Sequence, residues 1–298
     1  MKPIVKWVGG KTQILNQVFN KFPDTMNNYH EIFLGGGSVL FELLRRKHEN
    51  DIQVSGNIYA YDKNPVLIHM FLNIKNRSTE LQDCLNNLLE KYISCETAKG
   101  NKKPNTEEEG LSSKESYYYW MRLRYNQMTP DEKNSVEGSA LFIFINKTCF
   151  RGLYRMGPNG FNVPFGNYLK LTSIISDNDL YQMSQAIQQV NFIVSDFSDA
   201  ISNVEEGDFV YHDPPYVPIS KTSFVNYASG GFDDTEHAKL FNLLHNLNSR
   251  NIKFLMSNSD AQKVKDEFTD YNTVEIVCRR AINSKKPDSK VNELLIWN

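Results

Sequence analysis

Four consecutive residues, Asp213-Pro214-Pro215-Tyr216, end the apolar run Asp208–His212 and have the composition needed to methylate an exocyclic amine. The lone pair of such an amine is delocalised into its ring, so the nitrogen is a poor nucleophile. A site for it must accept its N–H protons in a geometry that favours a pyramidal nitrogen, and must aim it at a methyl donor. A carboxylate followed by a backbone carbonyl that proline leaves free of local competition supplies two acceptors, and an aromatic ring two residues later can stack on the base. At the C-terminal end of a strand, these residues would stand where open α/β sheets bind ligands. The plain alternative is a strand ending in a proline turn, since proline cannot continue a central strand and Asp and Pro are common turn residues.

Other strand ends carry residues of the same kind. Glu31–Ser38 places Gly35-Gly36-Gly37-Ser38 between a strand and a helix, where glycines let a ligand approach the backbone and the helix start offers N–H donors. It is not the dinucleotide fingerprint, because Leu40 stands where a third glycine belongs. Asp62 ends the next strand and is placed either to accept hydrogen bonds from a ribose or to cap the following helix. Asp196-Phe197 follows the strand Asn191–Ser195 and either binds an adenine ring or caps a short helix. Gly10-Lys11-Thr12 imitates the end of a phosphate-binding loop, but Val5 replaces its leading glycine and no strand long enough precedes it. Lys11 is then a donor to a carboxylate, and Trp7 a surface for a ring.

The elements that must position these residues alternate. Strands are expected at Tyr29–Phe33 and Ile58–Tyr61, with helices at Thr12–Phe22, at Val39–Arg46 and from Pro65 onward. The alternation stops after about Asn76. Ser78–Tyr92 and Ser116–Met128 read as helices, Ser94–Ser116 as a polar mobile loop, Ser139–Asn146 as a buried helix, and Phe150–Tyr168 as an irregular binding loop. Strands return near Asn191–Val194, Asp208–Tyr211, Ile252–Met256, Thr273–Val277 and Glu293–Trp297, the last two as an antiparallel pair at the sheet edge. The expectation is a Rossmann-like α/β domain from residues 1–76 and 188–298, with a mostly helical insertion at 77–187.

The 298 residues, 40% hydrophobic and 23% charged, suit a globular chain of one large domain or two ordinary ones. The apolar runs fall short of a membrane span and no signal peptide opens the chain. Four scattered cysteines and six dispersed histidines argue against a zinc site or a disulfide framework, so no metal and an intracellular compartment are expected. The net charge of −2 excludes a strongly basic DNA-coating protein. Even so, Leu141–Lys170 holds Lys147, Arg151, Arg155 and Lys170 with no acid, and Arg279–Lys290 holds five basic residues against Asp288. Such islands suit either a local phosphate footprint or a solvated surface.

Lys6-Trp7-x-Gly9-Gly10-Lys11, Phe33-x-Gly35-Gly36-Gly37-Ser38, Asp62, Asn162–Gly166 and Asp213–Tyr216, in this order, resemble the Dam-type DNA adenine-N6 methyltransferases. The similarity continues through Asp234–His237, Ser257–Asp260 and Arg279–Ile282 to Lys290-Val291-Asn292-Glu293-Leu294. The resemblance implies S-adenosylmethionine as cofactor, with Trp7, Lys11, Phe33, Gly35, Gly37 and Ser38 around it, Asp62 on its ribose, and Asp196 and Phe197 on its adenine. It implies that Asp213 and the carbonyl of Pro214, ahead of Pro215, hold the amine of a flipped target adenine, with Tyr216 stacked on that base. It also implies a duplex-entering loop, Phe150–Arg155, with Phe150 as wedge and Arg151 and Arg155 reading guanine. Lys6, Lys147, Leu153 and Asn167 join these as DNA-contact candidates, and Arg279 and Lys290 as phosphate contacts. Arg151 stands where GATC-methylating members carry Asn, which leaves CATG, GTAC or another short palindrome as open as GATC. The implied partners are double-stranded DNA and a restriction endonuclease for the same site, with the enzyme a monomer or dimer. The rival readings are an amine methyltransferase acting on RNA or protein, and a catalytically silent DNA-binding subunit.

Overall fold

The computed structural model describes residues 1–219, 232–279 and 290–298, with residues 279, 290 and 291 described by backbone alone. Chain contacts divide it into two compact units, one of Met1, Gly9–Lys63 and Gln189–Asn298, the other of Lys2–Val8 and Asn64–Gln188.

The first unit is built on seven strands: β1 (Tyr29–Glu31), β2 (Ile58–Asp62), β3 (Val190–Val194), β4 (Phe209–His212), β5 (Lys253–Ser259), β6 (Asn272–Arg279) and β7 (Lys290–Trp297). Their order across the sheet is 3-2-1-4-5-7-6. Strands 3-2-1-4-5 are mutually parallel, and β7 pairs antiparallel with both β5 and β6. The expected antiparallel pair is therefore present at one edge, and β6 is its outer strand. The order 3-2-1-4-5 is that of a doubly wound sheet, which reverses direction between β1 and β4.

The strands read as continuous apolar runs because both faces of the sheet are covered. Within β4, Phe209 and Tyr211 turn to a ring cluster with Phe22 (4.6 and 5.9 Å between centroids). Val210 faces the opposite way, into a core with Leu240 and Leu244 of the helix Asp234–Ser249 and with Phe254 and Met256 of β5. The helix α1 (Ser38–His48) buries Val39, Leu40, Phe41, Leu43 and Leu44, an amphipathic stripe of the expected period.

The second unit is helical: α2 (Pro65–Asn76), α3 (Ser78–Ser94), α4 (Lys114–Gln127), α5 (Val136–Thr148) and α6 (Asp177–Ala186). Every residue of α5 except Glu137 and Lys147 is buried, as an all-round apolar helix requires. Its Phe144 meets the rings of Tyr92 and Tyr117 edge-on at 5.6 and 5.7 Å. Local composition correctly marks α2 to α5.

Several elements differ from expectation. The helix expected over Thr12–Phe22 spans only Leu15–Phe19. The polar segment Ser94–Ser116, expected as a loop throughout, holds a helix at Glu107–Leu111. Thr106 caps it, the acids of its first turn favour its N-terminus, and Glu115 and Ser116 accept the amides of Gly100 and Asn101. Among the described residues, no helix is long and apolar enough to cross a membrane.

Candidate active site at the carboxyl edge of the sheet

Register brings the singled-out strand ends to one edge. Glu31 pairs with Ala60 on one side and Tyr211 on the other, and Asp62 pairs with Val194. The turns after β1, β2, β3 and β4 thus leave the sheet together, and those after β1 and β4 flank the reversal point where such sheets open a crevice. After β1, Gly35 and Gly37 take left-handed φ values of 52° and 76°, which side chains with a Cβ resist. The Gly35 amide donates to Asp62 Oδ2 at 2.9 Å. Asp62 therefore braces the glycine turn. It does not cap the next helix, a role taken by Asn64, whose side chain accepts from Val66 N at 3.1 Å.

After β4, the distant Lys11 closes on the tetrapeptide. Its ammonium, on a residue only 3% exposed, stands 2.7 Å from each Asp213 carboxylate oxygen and 2.6 Å from the Gly9 carbonyl. Its own amide donates to Ser38 Oγ at 3.1 Å, which ties it to the glycine turn. The same ammonium lies 5.0 Å from the centre of the Tyr216 ring. Burial pushes the Asp213 carboxyl up to about 6, against the opposing pull of Lys11. Glu31, fully buried, is pushed up to about 8 by desolvation, with the Tyr29 hydroxyl donating to it at 2.8 Å. The tetrapeptide is also anchored from β5, because Asn258 Oδ1 accepts from Val217 N at 3.1 Å and Ser259 Oγ donates to the Val217 carbonyl.

Residues 7–282 match the D12 class N6 adenine-specific DNA methyltransferases. The chain belongs to this family. A type II methyltransferase of Methanocaldococcus jannaschii, M.MjaIII, is 33% identical over 308 residues, covering all of this chain and 99% of that one. The type II methyltransferase M1.LlaDCHI of Lactococcus lactis subsp. cremoris is 28% identical over 100% and 95% of the two chains. The DNA adenine methylase of Escherichia coli (strain K12) is 27% identical over 99% and 94%. The protein is an adenine-specific DNA methyltransferase, which leaves no ground for the RNA, protein and silent-subunit readings.

Elsewhere on the methyltransferase's first unit, Asp196 is the cap of the helix Phe197–Ser202. It accepts from Ser198 N at 3.1 Å and Ser198 Oγ at 2.9 Å, and pairs with Lys63 at 3.1 Å. Phe197 is 4% exposed and packs on Phe33 and Phe232 at 5.8 and 5.5 Å, so most of its ring serves the core.

On the second unit, the Phe150–Tyr168 segment is less irregular than its composition suggests. A single turn at Phe150–Gly152 leads to a hairpin pairing Met156–Gly157 with Gly160–Phe161. Phe150 is 44% exposed, and the Arg151 guanidinium, on a backbone with φ 59°, lies 5.3 Å from its ring. Arg155 is exposed and donates to the Asn162 side chain at 2.6 Å and to its carbonyl at 3.2 Å. Lys6 is exposed beside Gly152, while Lys147 is partly buried, and burial with the Lys6 charge lowers its pKa. Leu153 is half-buried, and Asn167 is exposed with φ 61°. Trp7 packs on Tyr154 at 4.8 Å and on Phe142 at 6.4 Å. The basic stretch Arg279–Lys290 lies outside the described residues, apart from the backbone of its two ends.

Sequence reasoning missed the residues that hold these parts still. Asn146, buried in α5, accepts from Lys6 N at 2.9 Å and donates to the carbonyls of Lys6 and Gly152 at 3.0 and 3.2 Å. An amide in an otherwise apolar helix was its signal, since a buried amide must find partners. Asn126 brackets Phe161 through both backbone groups, and Tyr118 and Arg122 both donate to the Val163 carbonyl. Glu31 opens the glycine-turn segment and Glu293 falls in the Lys290–Leu294 motif, though neither position was singled out within them.

Proposed function

We propose that this methyltransferase acts on adenine N6 within one short palindromic duplex site, on a base flipped from the stack, with S-adenosylmethionine bound at the glycine turn. The observation that carries the reading is the Lys11–Asp213 pair, 2.7 Å apart beneath the Tyr216 ring, at the reversal point of the sheet. The family implies S-adenosylmethionine, and the donor set fits it. The close backbone approach that Gly35 and Gly37 allow suits the methionine part, and Asp62 a ribose diol. When bound, this group supplies an electrophilic methyl on a sulfonium.

Asp213 and the Pro214 carbonyl accept the two N–H protons of the target amine and draw its lone pair out of the ring. Tyr216 stacks on the base and offsets roughly 1–3 kcal/mol of the cost of unstacking it. On methylation N6 would have to lose one proton. A carboxylate near 6 is matched to take it at neutral pH. The first unit does this chemistry and the second reads sequence, with Phe150 as wedge and Arg151 and Arg155 on guanine edges. The roles of Trp7, Asp196 and Phe197 beside the cofactor rest on the family pattern alone. Relatives named type II methyltransferases support a restriction–modification setting, with an endonuclease cutting the same unmethylated site.

The test is single-molecule sequencing of DNA from methylation-free cells expressing the chain or its Asp213→Ala variant. N6-methyladenine at one short palindrome, absent with the variant while S-adenosylmethionine binding persists, is the expected result. Retained methylation in the variant would remove Asp213 from the chemistry.

A further inference from the structure

We propose that Glu293 is a positioning residue for methyl transfer, holding the Tyr216 ring in the orientation that receives the target base. The inference rests on the reading of Tyr216 as the ring that stacks on that base. The Tyr216 hydroxyl donates to Glu293 Oε2 at 2.8 Å. The other face of the arrangement is equally defined, because the Lys11 ammonium lies 5.0 Å from the ring centre and is locked to Asp213. A tyrosine ring has two side-chain torsions, and a charge-assisted hydrogen bond at its far end removes most of their freedom.

The anchor itself is rigid. Glu293 sits on β7, paired with Ser259 of β5 on one side and Ile276 of β6 on the other. That same cross-strand partner, Ser259, donates to the Val217 carbonyl, while its neighbour Asn258 takes the Val217 amide. One register pair thus holds the tetrapeptide twice, through the Tyr216 hydroxyl and through the backbone that follows it. Leu294, Leu295 and Ile296, the residues after Glu293, are all buried, and Glu293 itself is partly buried, where the Tyr216 hydroxyl supplies it a hydrogen bond. Burial pushes the Asp213 carboxyl upward, and the charge of Glu293 adds to that push.

The experiment uses the full chain and a duplex carrying the palindrome that sequencing identifies. It compares Glu293→Ala, Glu293→Gln, Tyr216→Phe, Tyr216→Ala and the Glu293→Ala/Tyr216→Phe double variant. Glu293→Ala and Tyr216→Phe are each expected to raise KM for DNA roughly tenfold, the size of one lost charge-assisted hydrogen bond, with KM for S-adenosylmethionine unchanged. The double variant is expected to be no worse than either single one, since both remove the same contact. Glu293→Gln, whose amide oxygen still accepts from the hydroxyl, should recover most of the loss. Wild-type kinetics in Glu293→Ala, or losses that multiply in the double variant, would overturn the proposal. Should Glu293→Ala fail to fold, full activity in Tyr216→Phe would overturn it alone. Tyr216→Ala separates the two readings. If it is fully active, the stacking role itself fails; if it is crippled beside a wild-type Glu293→Ala, only the present inference fails.

Discussion

At the scale of single residues, the site is governed by how burial and one cation set the charge of its acids. Asp213 is pushed up to about 6, and only its carboxylate form draws the amine lone pair outward. We therefore expect kcat/KM to rise with pH through about 6 and to level above it. Lys11 favours the carboxylate, so Lys11→Met should move this limb to higher pH; a limb that stays in place would remove Lys11 from the tuning. Glu31 gives a separate stability signature. Its folded pKa of about 8 exceeds the unfolded value near 4.5. Between these values the folded chain keeps a proton that the unfolded chain releases, so stability falls as pH rises through this window. Glu31→Gln cannot ionise, and its melting temperature should gain on the wild type from pH 5 to pH 8. An equal difference at both pH values would mean that Glu31 is already charged at pH 5.

At the scale of elements, what was legible depended on whether the cause was local. The buried helix α5 declares itself in its apolar run, and the strand ends at Asp62, Asp196 and Asp213 in the turn residues beside them. The roles of these acids were less legible. Asp62 and Asp196 each admitted capping or ligand binding, and the structure gives the cap to Asp196 while Asp62 braces the glycine turn. A cap needs only the next three residues, whereas the brace needs a second strand alongside. Asn146 belongs to the same class of long-range parts. Asn146→Ala should cost on the order of 3 kcal/mol in denaturant unfolding, because backbone groups of Lys6 and Gly152 lose their partners. It should also weaken DNA binding more than S-adenosylmethionine binding, since the groups it frees carry the Lys6 and Phe150–Arg155 candidates. Equal weakening of both would point to global loosening.

At the scale of the whole molecule, a net charge of −2 gives no general attraction to DNA, so binding must come from local groups. Arg155 and Lys170 separate the two ways in which a basic residue can serve. If the Leu141–Lys170 island is the phosphate footprint, Lys170→Ala should weaken binding to all duplexes alike and reduce the salt slope of log Kobs by about one. Arg155→Ala should instead lower discrimination at one base pair by about 1–3 kcal/mol and broaden the methylated profile. Binding isotherms at several salt concentrations, with sequencing of methylated sites, measure both. An unchanged site profile in Arg155→Ala would take base reading away from that residue.

The sequence by itself determined the alternation of strands and helices, the family, the acids at strand ends and the glycine turn. The alternation, the acids and the turn are written in the spacing of neighbouring residues, and the family in the resemblance of its ordered motifs. Only the tertiary structure decided that Lys11 meets Asp213, 202 positions away, that β7 lies between β5 and β6, and that Glu293 on it reaches Tyr216. Strand order and register make these contacts. Both follow from which buried surfaces fit together across the whole unit, which the spacing of neighbouring residues does not encode.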